Sequence, residues 1–358
     1  MAQEHLLFVT SCRPGDAGAI TAFKFDPQSG ALTESRRYTD IENPFFLALS
    51  PDRKRLYSTH VQGDFESDDG SIVALAVEDG QGTLRRLNQQ STEGTTICYV
   101  DIDPSGRAVV GANYSSGSVV SYPVLDDGSL GERVSFFAHE GASMVNAARQ
   151  ERAHAHCAVI SPGGGQVYAC DLGTDQVMGY ALDAGSAALT PLGQPYVRTL
   201  GGGGPRHFTI HPGGRFAYAN NELANSVNVY RYDGESGGLA EIQVVPSLPA
   251  DFEGDSYTAD VKCTPDGRFL YCTNRGHDSI AAYAVAGDGR LETVEIRDSL
   301  GTFPQNLAIT PDGSTLLCAN MAGERENIAA FGIDADSGRL QPLGEPTAAV
   351  GPSCIMIV

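Results

Sequence analysis

The stretch that decides the fold is Thr264-Pro265-Asp266-Gly267-Arg268-Phe269-Leu270-Tyr271-Cys272. A proline that presets φ, an acceptor side chain and a permissive glycine make a tight turn, and β-favouring residues follow at once. The phrase recurs as Ser50-Pro51-Asp52-Arg53, Asp103-Pro104-Ser105-Gly106, Ser161-Pro162-Gly163-Gly164, His211-Pro212-Gly213-Gly214 and Thr310-Pro311-Asp312-Gly313. The steps between the prolines are 53, 58, 50, 53 and 46 residues. A turn that returns at this interval marks a repeat architecture, whose core grows by stacking like units.

Outward from Pro265, four strands can be read. Val261 to Cys263 leads into the turn, and Phe269 to Cys272 leaves it. Ser279 to Val285 is a third strand, and after the turn Gly287-Asp288-Gly289 comes a fourth, Leu291 to Ile296. Six units of this kind are complete. The chain ends hold the pieces of a seventh: residues 6–12, 19–26 and 31–37 lack a first strand, and residues 353–358 are a first strand without the others. Complementary ends are how a propeller closes its ring and removes two open sheet edges. The fold expected is all-β: one domain over residues 1–358, a seven-bladed β-propeller of four-stranded antiparallel blades. Two β-sandwich domains are the alternative.

Composition agrees and narrows the function. The 358 residues are 41% hydrophobic, with 42 Gly, 19 Pro and no Trp, as a turn-rich β chain with an ample core would be. A formal net charge of −20 argues against nucleic acid or an anionic membrane as partner. The eight cysteines form no C-x-x-C and sit among β-type apolar neighbours, so they read as reduced core residues. Met1-Ala2-Gln3 leads straight into Leu6-Leu7-Phe8-Val9 with no cleavable leader pattern, and a soluble, cytoplasmic protein is expected.

The turn proline also serves as a ruler. In an antiparallel hairpin the start of the first strand and the end of the second share one end of the sheet. Positions −6 and +10 from each proline therefore meet at one mouth of the central channel. Most blades place Phe45, Cys98, Ala259 or Gln305 at −6, and Val61, Tyr114, Leu172 or Met321 at +10. The exceptions are His156 and Arg206 at −6, then Glu222 and Arg275 at +10. Charged residues beside an axial channel need a partner or a task. A salt-bridge network that seals the channel is the bland reading, but sealing would more naturally recur round the ring.

Other polar residues cluster nearby. His154 and His156 form an H-x-H pair that could bind metal, yet no third ligand joins them in convincing register. His207 neighbours Arg206 and faces either the substrate or a blade interface; His211 reads as structural. Asp171 and Asp175 are expected to hold a loop or orient His156. Gly201 to Gly204 lacks the strand-to-helix context of a phosphate cradle and reads as a mobile inter-blade loop.

Three segments carry a family likeness: Ala155-His156 through Asp171-Leu172-Gly173-Thr174-Asp175; Gly204-Pro205-Arg206-His207-Phe208 through Asn221-Glu222-Leu223; and Pro265 through Asn274-Arg275-Gly276. They resemble the seven-bladed propeller lactonases, which include the propeller-type 6-phosphogluconolactonases and the 3-carboxy-cis,cis-muconate lactonizing enzymes. The resemblance implies a catalytic His, two Arg and a Glu, falling here on His156, Arg206, Glu222 and Arg275, with His154 competing for the histidine position. Arg206, Arg275, His154 and His207 are the substrate-binding candidates.

Lactone chemistry needs a base, an oxyanion or leaving-group donor, and cations for the substrate's anionic group. Glu222 is the candidate base, His156 the acid, and Arg206 and Arg275 the forked anion binders. The expected function is metal-independent hydrolysis of a sugar lactone such as 6-phosphogluconolactone, with no cofactor and a small anionic lactone or carboxylate as partner. The same residues would serve a lactonizing cyclase. A calcium-dependent lactonase and a non-catalytic binding propeller or scaffold are the remaining alternatives. Oligomeric state is not legible.

Overall fold

The computed structural model describes residues 4–358. Met1-Ala2-Gln3, on which part of the leader reading rests, lies outside the described residues. Seven antiparallel sheets stand round an axis, their inner strands packed in sequence order. Blade 1 is closed by the chain's end: Pro352–Ile357 pairs with His5–Ser11, and Ala19–Phe25 and Leu32–Tyr38 complete the sheet. The inner strands of blades 2 to 7 are Leu47–Leu49, Ile97–Ile102, Val159–Ile160, Pro205–Ile210, Tyr257–Cys263 and Pro304–Ile309. In blade 7 the outer edge is split, Leu340–Pro342 and Thr347–Ala348 both pairing with Asn327–Ile333. One short 3-10 turn, Gly15–Ala17, is the sole helical piece among the described residues.

The turn phrase does what its residues dictate. In each repeat the fourth residue's N–H bonds back to the first residue's carbonyl, as from Gly267 to Thr264 at 2.9 Å. The glycines sit at positive φ, 75° at Gly267, where a side chain is disfavoured. Blade 2 is the departure, because Arg53 holds the same place at φ 59°.

A second recurrence ties the blades together. Tyr57, Tyr168, Tyr218 and Tyr271, each six residues past a turn proline, are buried. Their hydroxyls donate to the carbonyls of Gly128, Gly237, Gly289 and Gly338, each in the next blade's outer turn. Burying such a ring is worth about 1.5–3 kcal/mol and its hydrogen bond about 1 kcal/mol.

The inner hairpins carry one irregularity that positions the site. Register slips between Pro205 and Phe208, between Thr258 and Val261, and between Pro304 and Asn306. A bulge of this kind re-aims side chains near the end of a strand. It turns two successive residues, −6 and −5, toward the axis. In blade 4 the inner strand is reduced to Val159–Ile160, and a lone bridge between Ala155 and Asp171 continues it toward the mouth.

Candidate active site

The four residues chosen by the repeat ruler converge on one carboxylate. Arg275 Nη2 lies 2.8 Å from Glu222 Oε2, and Arg206 Nε lies 2.9 Å from the same oxygen. His156 Nε2 is 3.9 Å away. All four line a cavity of about 430 Å3 at the channel mouth, together with Tyr114, Gln305 and Met321. The first strand of blade 5 supplies Arg206, its second strand ends just before Glu222, and the second strand of blade 6 ends on Arg275. The cluster round Glu222 occupies an arc, and the rest of the wall mixes apolar Phe45, Cys98, Phe303 and Met321 with polar Glu66, Thr96 and Gln305.

A fifth residue, absent from the sequence reading, completes the cluster. Arg149 comes from the segment between blades 3 and 4 and places Nη2 2.6 Å from Glu222 Oε1. It also donates to the Tyr114 hydroxyl at 3.2 Å. Asp175 fixes that segment: it accepts from Gln150 Nε2 at 2.7 Å, from the Ser143 hydroxyl, and from the Gly202 and Gly204 amides at 2.7 and 2.8 Å. The Gly201–Gly204 loop is therefore pinned by a carboxylate, which corrects the expectation of a mobile loop. No register rule could have found Arg149, because it stands in an insertion outside the repeat.

Electrostatics set the resting charges. Burial pushes the Glu222 carboxyl up, but Arg275, Arg206, His156 and Arg149 outweigh it and hold the group far below the usual carboxylate range. Burial, then the Arg206 charge, lowers the pKa of His156 well below that of a free imidazole, so the ring is neutral near pH 7. Burial and Arg275 lower Arg206 to about 10, which leaves it cationic. Burial lowers Arg149, but Glu222 and Tyr114 reverse this and raise it. Three arginines against one glutamate leave two positive charges in excess in this cluster. Glu66 and Glu151 also line the cavity, and Glu151 is occupied by Arg152 and His154.

The remaining sequence candidates fall into place with clear physical causes. The His154 ring stacks on Tyr114 with centroids 4.6 Å apart, and its nitrogens meet the Tyr114 carbonyl at 3.1 Å and Glu151 at 3.2 Å. It lines the cavity with both nitrogens engaged, whereas His156 faces Glu222. His207 does not line the cavity, contrary to its place among the substrate-binding candidates. The bulge turns it to the axis beneath Arg206, packed edge-on against Phe46 and Tyr99. Asp171 accepts from the His154 amide and lies 2.6 Å from His139 Nδ1, so it holds the loop rather than His156. His211 bonds the Gly267 carbonyl of the next blade at 3.0 Å, a structural role. All eight cysteines are free, seven of them buried. Among the described residues no group of three or more His, Cys, Asp or Glu is placed to hold a metal ion, and no helix is long and apolar enough to cross a membrane.

A seven-bladed propeller with an Arg–Glu–His cluster at one mouth defines an enzyme-like class of axial-site propellers. The chain belongs to the family described as Lactonase, 7-bladed beta-propeller, which matches residues 6–357. It is 34% identical over 353 residues to a 6-phosphogluconolactonase of Bacillus subtilis, covering 98% of each chain. Among solved structures it resembles the periplasmic gluconolactonase of Pseudomonas aeruginosa, with TM-score 0.92, 31% identity and 99% of each chain covered. A putative 6-phosphogluconolactonase of Bacteroides fragilis gives TM-score 0.90 at 30% identity, covering 100% of this chain and 98% of the other.

Proposed function

We propose that the chain hydrolyses an anionic sugar lactone of the 6-phosphogluconolactone type at this mouth. The observation that carries the reading is Glu222 gripped by Arg149, Arg206 and Arg275, with neutral His156 3.9 Å away. The two positive charges that the Arg149, Arg206 and Arg275 cluster holds beyond Glu222 suit a dianionic group such as a phosphate monoester, with Glu66 and Glu151 kept at other parts of the cavity lining. The similarity to the 6-phosphogluconolactonase of Bacillus subtilis points to the same substrate class.

The roles differ from those expected of the sequence. A carboxylate whose basicity is suppressed by three arginines is a poor base. Neutral His156 can take a proton from water through Nε2, and Glu222 stabilises the imidazolium that forms. The hydroxide adds to the lactone carbonyl. Arg206, whose Nε is turned to Glu222, and Arg275 supply positive charge to the oxyanion. Collapse of the tetrahedral intermediate breaks the ring C–O bond, and His156 returns its proton to the departing ring oxygen. The products are balanced as one hydroxy acid from one lactone and one water.

The test is a substrate panel of 6-phosphogluconolactone, glucono-δ-lactone and 3-carboxy-cis,cis-muconate, with and without EDTA. The expected result is fastest turnover of the phosphorylated lactone, unchanged by EDTA. Cyclisation of carboxymuconate in preference to lactone opening would replace hydrolysis by the cycloisomerase reading, and no turnover would favour a binding role.

A further inference from the structure

We infer that Asp260 and His207 form a positioning pair that fixes the Arg206 guanidinium by holding His207 in one tautomer. The inference rests on the reading above in so far as Arg206 faces the reacting lactone. The geometry behind it does not.

Arginine can only donate hydrogen bonds. Arg206 Nη1 contacts the Ala259 carbonyl and lies 3.1 Å from His207 Nε2, so its two protons have two acceptors. Nε2 must therefore present a lone pair, and the ring's proton belongs on Nδ1. Nδ1 lies 2.8 Å from Asp260 Oδ1. Burial and the Arg206 charge lower His207 to about 4, which keeps the ring in this neutral form.

Asp260 is fully buried and meets donors on every side. Oδ1 accepts from the Val261 amide at 2.9 Å and faces Lys262 Nζ at 3.4 Å, besides His207. Oδ2 accepts from Asn306 Nδ2 at 2.8 Å and the Leu307 amide at 2.9 Å. Five donors round one side chain require a carboxylate. The pair reaches across blades 5, 6 and 7, and the His207 ring cannot turn freely because Phe46 and Tyr99 sit edge-on to it, 5.8 and 5.2 Å away. With both Nη1 protons committed to the floor of the site, Nε and Nη2 are left to Glu222 and the cavity.

An asparagine at position 260 would offer one acceptor oxygen where two are used. If its amide N–H faces His207, the imidazole proton moves to Nε2 and then points at an Arg206 N–H. Donor against donor swings the guanidinium away from Glu222. If it faces the other way, the Leu307 amide loses its acceptor.

The experiment is 15N NMR of histidine-labelled protein together with steady-state kinetics on 6-phosphogluconolactone. Wild-type His207 should show a protonated Nδ1 and a bare Nε2, and Asp260→Asn should reverse or mix them. The folded Asp260→Asn variant should lose at least about tenfold in kcat, in the range for groups that orient a functional residue, with KM changed by less than about threefold. His207→Phe keeps the ring's packing, removes the acceptor and should show the same kcat loss. Protonated Nε2 in the wild type, or wild-type kcat in both folded variants, would overturn the inference. If the wild type turned over no lactone at all, the functional reading would fail, while the tautomer measurement would still decide the pair.

Discussion

The two ends of the channel hold cavities of nearly equal size, about 430 and 440 Å3, with opposite chemistry. One is walled by three arginines, Glu222, His154 and His156. The other is walled by the far ends of the inner strands, with Leu49, Ile102, Ile309 and Ile357 beside Lys262 and Asp101. The first cavity is lined from blades 2 to 7 and the second from blades 1, 2, 3, 6 and 7, so the propeller frame supplies the space without choosing the site. The choice lies in a few side chains on three adjacent blades and one insertion. Between the ends runs a series of polar contacts, Glu222, Arg206, His207, Asp260 and Lys262, which joins the arginine-lined mouth to the opposite one.

The sharpest way to break this contrast is to change each end in turn. Arg275→Ala removes an oxyanion or anion donor while its neighbours remain, and should lower kcat/KM by about 100-fold or more. Steady-state rates on 6-phosphogluconolactone check it, with circular dichroism to show an intact fold. A smaller change is expected in the pH profile of Glu222→Gln. Glu222 raises the His156 pKa while burial and Arg206 lower it. Removing the carboxylate charge should therefore move the acid limb of kcat/KM to lower pH, measured on the residual activity between pH 4 and 8, a window of about two units either side of an ordinary imidazole. A shift to higher pH would contradict the assignment of that limb to His156. At the other mouth, Cys263→Ser and Ile309→Val should leave kcat/KM within about twofold of wild type, as surface-near changes away from a site do.

The smallest expected effect concerns the frame itself. Arg53 sits at φ 59° where the five other repeats have glycine. Arg53→Gly should relieve that strain and raise stability by up to about 1 kcal/mol, seen as a higher denaturant midpoint at unchanged activity.

Much of this was legible in the sequence because the turn has strong local chemistry. The strand read as Ser279 to Val285 is Ser279–Val285 in the structure, and the two chain ends do complete one blade. The ruler also found Arg206, Glu222, Arg275 and His156, since positions −6 and +10 share one end of the sheet. It stopped one residue short. The −5 positions read Phe46, Tyr99, Cys157, His207, Asp260 and Asn306, and the polar three stand in consecutive blades. A regular strand would turn −5 away from −6, and of the three the sequence singles out only His207, as a substrate-binding candidate; the bulge, which brings both positions to the axis, has no local signal. Arg149 had no signal at all, because an insertion obeys no repeat and its placement comes from Asp175, a long-range contact. The charge roles were also hidden, since burial and neighbouring arginines decide them and neither is written locally.

The most direct measurement compares wild type and Glu222→Gln on 6-phosphogluconolactone, each folded and at matched concentration. The account predicts efficient hydrolysis by the wild type and a loss of at least about 100-fold in kcat for the variant, or about 2.7 kcal/mol of transition-state stabilisation. Equal rates in the two proteins would contradict it.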